Sequence, residues 1–154
     1  MIKQPEYIFD KESGISKCII TDKQGHKFIG TAKCHPEDID MNSRFTGITI
    51  AEMRANREVF RHIRDNEIIP ELKSLKELYG VMKHSTRFNP QSYENIMLQR
   101  MIRQKENELS EVRAMIEAQS KDIRQFLYEK EKCYQGIRRH RAEAAQEQGQ
   151  NEIK

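Results

Sequence analysis

Residues 77–103, ELYGVMKHSTRFNPQSYENIMLQRMIR, decide the architecture. Leu78, Tyr79 and Met82 continue an apolar stripe from upstream, Phe88-Asn89-Pro90 interrupts it, and Leu98 and Ile102 open a second stripe. That is the pattern of a helical hairpin. Asn89 is a favoured N-cap, and Pro90 suits a first helical position because its missing N–H would be unpaired there anyway. The outgoing helix is therefore expected to start at residue 89. Three aromatics (Tyr79, Phe88, Tyr93), several side-chain amides and the cations Lys83, Arg87, Arg100 and Arg103 surround the break. Aromatic faces beside guanidiniums can hold a nucleotide-like anion, and they are equally the ingredients of a packed helix turn.

Upstream, Ile50, Met53, Phe60, Ile63, Leu72, Leu75, Leu78, Tyr79 and Met82 recur mainly at steps of three, four and seven, which predicts one helix over residues 48–85. Pro70 falls inside it, where a proline ring collides with the preceding turn, so the stretch is either one bent helix or two shorter ones, and the immediate return of the stripe favours the bend. Downstream, the second helix is expected over residues 89–141. Ile102, Leu109, Ile116 and Ile123 repeat every seven residues, with Leu98, Val112, Phe126 and Cys133 on a matching seam. Lys105 and Gln119 interrupt that seam. Residues 142–154 are polar and glutamine-rich, and are expected to be a disordered tail.

Toward the N-terminus, Ile15–Thr21 and Lys27–Lys33 read as strands joined by the turn Asp22-Lys23-Gln24-Gly25, with a third strand from residues 6–9. Such a hairpin is barely stable alone and must dock on something. The expected fold class is α+β, mostly α: a single domain over 1–141, with a small N-terminal antiparallel sheet in residues 1–47 and then two long antiparallel helices. Hydrophobic residues make up 36% of the 154-residue chain, charged ones 33%, and mean hydropathy is −0.87. That is too little apolar side chain for a thick core, so burial is expected to be completed by homo-oligomerisation.

The formal charge of +3, from 27 basic and 24 acidic residues, argues against a duplex nucleic-acid partner. Cys18, Cys34 and Cys133 follow no disulfide or zinc spacing and suit a reducing cytoplasm. No run of about 18 apolar residues or signal-type core occurs, so no membrane association is expected. Adjacent Cys34 and His35 do not make a nucleophile pair by themselves, and a buried cysteine is more often a small core residue. Cys18, His26, Cys34 and His35 lack the paired spacing of a metal site. No phosphate-binding glycine loop is present. The chain is read as no enzyme, with neither cofactor nor metal. Arg54 and Arg57, like Arg100 and Arg103, stand three residues apart near helix starts, where they could grip phosphate oxygens, though arginines on helices most often face solvent. Arg138-Arg139-His140-Arg141 complements a helix C-terminus.

The layout resembles the first-described Thoeris anti-defence proteins of phages, known as nucleotide sponges. The resemblance rests on Lys27-Phe28-Ile29-Gly30-Thr31-Ala32 running into Cys34-His35-Pro36-Glu37-Asp38, on Ile50-Ala51-Glu52-Met53-Arg54-Ala55, and on the hinge His84 to Asn95, and covers most of residues 15–141. It implies a homodimer that can associate into hexamers (trimers of dimers) and work in the host bacterial cytoplasm. It also implies capture of glycocyclic ADP-ribose without degradation, and in some members of cyclic oligonucleotides at a separate site. Pockets in the family lie between protomers and use an aromatic residue, an asparagine and arginines. Carried onto this chain, that points to Tyr79 or Phe88 for adenine, Asn89 or Asn95 for hydrogen bonds, and Arg100 and Arg103 for phosphate or ribose. Arg54 and Arg57 are the candidates for the second pocket. The heptads support a competing reading, a coiled-coil scaffold or adaptor acting through protein contacts. Aromatics beside arginines would also suit single-stranded nucleic acid.

Overall fold

The computed structural model describes residues 4–33, 44–85 and 88–151. Strands β1 (Glu6–Asp10), β2 (Ile15–Thr21) and β3 (Lys27–Lys33) come first, followed by helices α1 (Arg44–His62), α2 (Ile69–Lys83) and α3 (Tyr93–Asn151). A π-helical turn, Ile63–Ile68, joins α1 to α2. The chain is α+β and mostly helical, with a small antiparallel sheet ahead of long helices. Cys34, His35 and Arg87 lie outside the described residues.

The sheet runs β1-β2-β3, both pairings antiparallel. Gly25 closes the second turn at φ 91°, a conformation that costs a Cβ-bearing residue steric strain, and Asp22 accepts the amides of Gln24 and His26 at 2.8 Å each. Alternation along β2 and β3 sends Ser16, Cys18, Ile20, Phe28, Gly30 and Ala32 to one face. Cross-strand neighbours there are Ser16 with Ala32, Cys18 with Gly30 and Ile20 with Phe28. Against them lie Ile50, Ala51, Ala55 and Val59 of α1, and together these form the main core. The docking that an isolated hairpin requires is met within the chain.

Small residues set how close α1 comes. A Cβ on Gly30 would stand 1.8 Å from the Ala51 carbonyl oxygen and 2.5 Å from the Ala55 nitrogen. Gly47 fits the same rule, since a Cβ there would meet Ser16 Oγ at 2.3 Å. α1 begins at Arg44, four residues before the expected start at 48, and Gly47 is a contact point inside it. Arg54 donates from Nη1 to the Thr31 carbonyl at 2.5 Å, covering part of the open edge of β3.

Where the sequence predicts a bend at Pro70, the structure has a π turn shortly before it, over Ile63–Ile68. Residues facing the core run 51, 55, 59, 63, 68 and 72, and the one step of five spans the π turn. Pro70 then sits in the first turn of α2, where it needs no N–H donor, and the widened turn precedes it. α3 packs antiparallel to α1 and α2. Gln99 meets Tyr79, Glu106 meets Lys76, Leu109 meets Leu72, and Phe126 reaches the sheet-side core.

The seam on α3 is helical but not a uniform zipper. Ile102, Leu109, Ile116 and Ile123 are all at least half-buried, whereas Cys133 is exposed and its neighbour Tyr134 is buried. Five heptads of an unsupercoiled helix drift by about one residue, so the stripe passes from Cys133 to Tyr134. Lys105 sits in the seam because its ammonium bridges Glu71 of α2 at 2.9 Å and Glu108 at 2.8 Å. The helix also continues to Asn151 rather than ending at Arg141 in a disordered tail. Residues 142–148 contain only alanine, glutamate and glutamine, all good helix formers. Among the described residues, no helix is long and apolar enough to cross a membrane.

Candidate functional site

The hinge between α2 and α3 is built by backbone turns. The Ser85 amide donates to Met82 O and the Phe88 amide to Ser85 O, both at 3.0 Å. Asn89 does not cap α3. Its side-chain oxygen accepts the Gln91 amide at 3.0 Å and its carbonyl accepts the Ser92 amide at 3.0 Å, so Asn89–Ser92 is a turn with Pro90 at its second position. Ser92 is the actual N-cap, with Oγ accepting the Asn95 amide at 3.4 Å and its carbonyl accepting from Ile96. Reading Asn89 as the cap passes over Ser92, three positions downstream. What could not be seen in the sequence is that Asn89's own oxygen would be engaged locally.

This turn presents Asn95. It is 3% exposed; Nδ2 donates to the Asn89 carbonyl at 2.5 Å, and Oδ1 is buried with no hydrogen-bond partner among the described residues. A buried oxygen left unpaired costs about 1–3 kcal/mol, and an incoming donor would recover that loss. Asn95 lines a pocket of about 320 Å³ with Met82, Ser85, Phe88, Ser92 and Glu94. Phe88 is held from behind by Tyr79, edge to face at 6.2 Å and 75°, and Tyr79's hydroxyl accepts from Gln99 Nε2 at 3.3 Å. Tyr93 is 74% exposed and takes no part in this packing. The N-terminus of α3 opens on the same pocket and adds a favourable field for an anion.

Phe88 and Asn95 are thus brought together, with Tyr79 and Asn89 as their supports. Arg100 and Arg103 are not. They stand five residues beyond the core-facing Asn95 and Leu98, about 140° around the helix. Both are exposed, and neither is paired among the described residues. Arg54 and Arg57 do not form a clamp either: Arg54 is engaged by Thr31, while Arg57 Nε is buried without a hydrogen bond, 3.9 Å from Glu58 Oε1. Cys18 is fully buried, and burial first, then the nearby Glu52 carboxylate, pushes its thiol up to about 11. It is a core residue with no nucleophilic character at neutral pH. Comparison with protein-family models, curated proteins and solved structures gives no match to this chain.

Proposed function

We propose that the protein is a stoichiometric binder of a small cyclic nucleotide signal of the glycocyclic ADP-ribose kind, holding it intact and lowering its free concentration, as a phage anti-defence sponge does. The observation that supports this reading is Asn95 Oδ1, buried and without a hydrogen-bond partner among the described residues, in a side chain that lines the same pocket as Phe88. A purine offers a flat face to Phe88 and an exocyclic amine to Asn95. A cyclic ligand is already constrained and loses little entropy on capture. Arg100 and Arg103 face away from this pocket, so in this proposal they meet the phosphates of a ligand shared with a partner protomer. Cyclic oligonucleotides are the natural candidates for a second ligand class.

The test is retention. Protein is incubated with glycocyclic ADP-ribose and filtered, and the retained fraction is heated and its small molecules identified. Intact ligand released on heating supports capture, a cleaved product makes the protein an enzyme, and an undepleted filtrate ends the proposal. The scaffold reading has its own support in the exposed Met101, Met115, Leu127 and Tyr128 on α3. It predicts a tight oligomer whose melting temperature is indifferent to nucleotides.

A further inference from the structure

Away from the hinge, the turn closing β2 and β3 meets the last turn of α1, and there Asp22, His26 and His62 each place one ligand-type atom within 4.8 Å of the others. We propose that these three side chains bind a divalent transition metal, with zinc as the reference ion. Two imidazoles and a carboxylate are the donor set of zinc and its neighbours in the first transition row; magnesium and calcium prefer all-oxygen sites.

Each donor is already oriented. Asp22 takes two backbone amides on Oδ1, which leaves Oδ2 for His26 Nδ1 at 2.8 Å. Burial alone would raise the Asp22 carboxyl, but the His26 ring and these amides outweigh it and hold the carboxyl below its usual range. The carboxylate is therefore ionised, as a ligand must be. His62 lies with its ring centroid 4.9 Å from that of His26 and 5.1 Å from that of Phe28, which supplies an apolar wall. Asn66 sits 3.0 Å from His62 Nδ1. The near atom is the amide nitrogen Nδ2, a donor, so His62 Nδ1 carries the lone pair; a metal taken at Nδ1 displaces this contact, and one taken at Nε2 requires the Asn66 amide to turn about.

Tetrahedral zinc with bonds of about 2.0–2.2 Å spaces its donors about 3.3–3.5 Å apart, so the most distant pair has to draw in, while Asp22 Oδ2 and His26 Nδ1, now 2.8 Å apart, part slightly to admit the ion. The His26 side chain is half exposed and can make that movement. Alongside lies an open pocket of about 420 Å³ lined by Glu58, Arg61, Asp65 and Asn66. A fourth position would face it, leaving room for water or an added carboxylate. The Asp–His spacing of four inside a turn is legible in the sequence; the meeting with His62, thirty-six residues further on, needs the fold.

The test uses the full chain and metal alone, so it stands apart from nucleotide capture. Cobalt is titrated for visible ligand-field bands, and zinc for a rise in melting temperature, with magnesium as the comparison. One cobalt per chain and a zinc-specific rise are expected. His62→Gln and His26→Gln should each abolish both signals, and Asp22→Asn should weaken binding by roughly 10–100-fold. His140→Gln should change nothing, although His140 faces Glu143 at 3.5 Å on α3. Circular dichroism without metal checks that each variant folds. The proposal is overturned if cobalt gives no bands, if magnesium stabilises as well as zinc, or if binding survives His62→Gln and disappears with His140→Gln.

Discussion

The two ends of the molecule are held together differently. At the sheet end, Cys18, Ala51 and Ala55 are wholly buried and Ile20 is 2% exposed, with backbone pressed against backbone at Gly30. Toward the hinge, among the described residues, the cluster is Ile68, Leu72 and Leu109, bordered by ion pairs, with Leu98 buried beyond it, while Leu78 and Val81 stay 51% and 73% exposed. A tight sheet–helix contact provides the fold, and the loosely covered end carries the pocket. Tight packing and the Asn95 pocket thus stand apart along one helical pair.

The largest expected effect tests the tight end. Gly30→Val should prevent folding, because its Cβ collides with main chain and no rotamer relieves that; the cost should exceed the roughly 1–3 kcal/mol usual for overpacking. A cooperative thermal melt from this variant would mean that α1 does not lie where described. Next, Ile20→Ala should lose about 2–5 kcal/mol by denaturant titration. The matching truncation at the loose end, Leu78→Ala, should stay within about 0.5 kcal/mol. Equal losses would erase the contrast.

Asn95→Ala sharpens the comparison from the side of binding. It removes the unpartnered oxygen together with one hydrogen bond to Asn89, so stability should fall by about 1 kcal/mol. Capture of glycocyclic ADP-ribose should weaken at least fivefold in equilibrium dialysis, the equivalent of about 1 kcal/mol. Unchanged capture would exclude this pocket.

The ends should also fail at opposite extremes of pH. Cys18 has its thiol raised from 9.0 to about 11, so its contribution is complete below 9.0 and lost as pH climbs through 11. Glu108 is the reverse case: its hydrogen bond to Lys105 holds it below the usual range, so its contribution is present in neutral solution and lost as pH falls through the lowered value. Hydrogen exchange across pH should show β2 opening first in alkali and the α2–α3 contact first in acid, and Cys18→Ala should flatten the alkaline limb. The smallest effect is a gain. Gly80 lies in α2 with open space where a Cβ would go, and Gly80→Ala should stabilise by about 0.5–1 kcal/mol.

Much of the sheet end was legible in the sequence. Strands at residues 15–21 and 27–33 follow from β-branched alternation around a glycine turn, and the structure has the same bounds. Local chemistry at that end agrees with the tertiary result. The hinge was legible as a break but not in its detail, because Asn89 and Ser92 are both good caps and only the turn geometry chooses between them. Arg100 and Arg103 stand out by their spacing and their nearness to the hinge aromatics, which place them close in sequence but do not say which side of α3 they occupy. The Asp22–His26–His62 cluster depends on a long-range meeting that no local pattern contains.

The π turn at Ile63–Ile68 has a consequence for how this chain tolerates length changes. One extra residue in a helical turn shifts the phase of everything after it by about 100°, and here that shift is what aims Ile68 and Leu72 at α3. Deleting a single residue between 63 and 68 would restore an ordinary α-helix and leave every hydrogen bond of α2 intact. It would also turn the apolar side of α2 away from Leu109. The helix would survive such a deletion while its pairing did not, so the reading frame of the hinge is stored in one supernumerary residue.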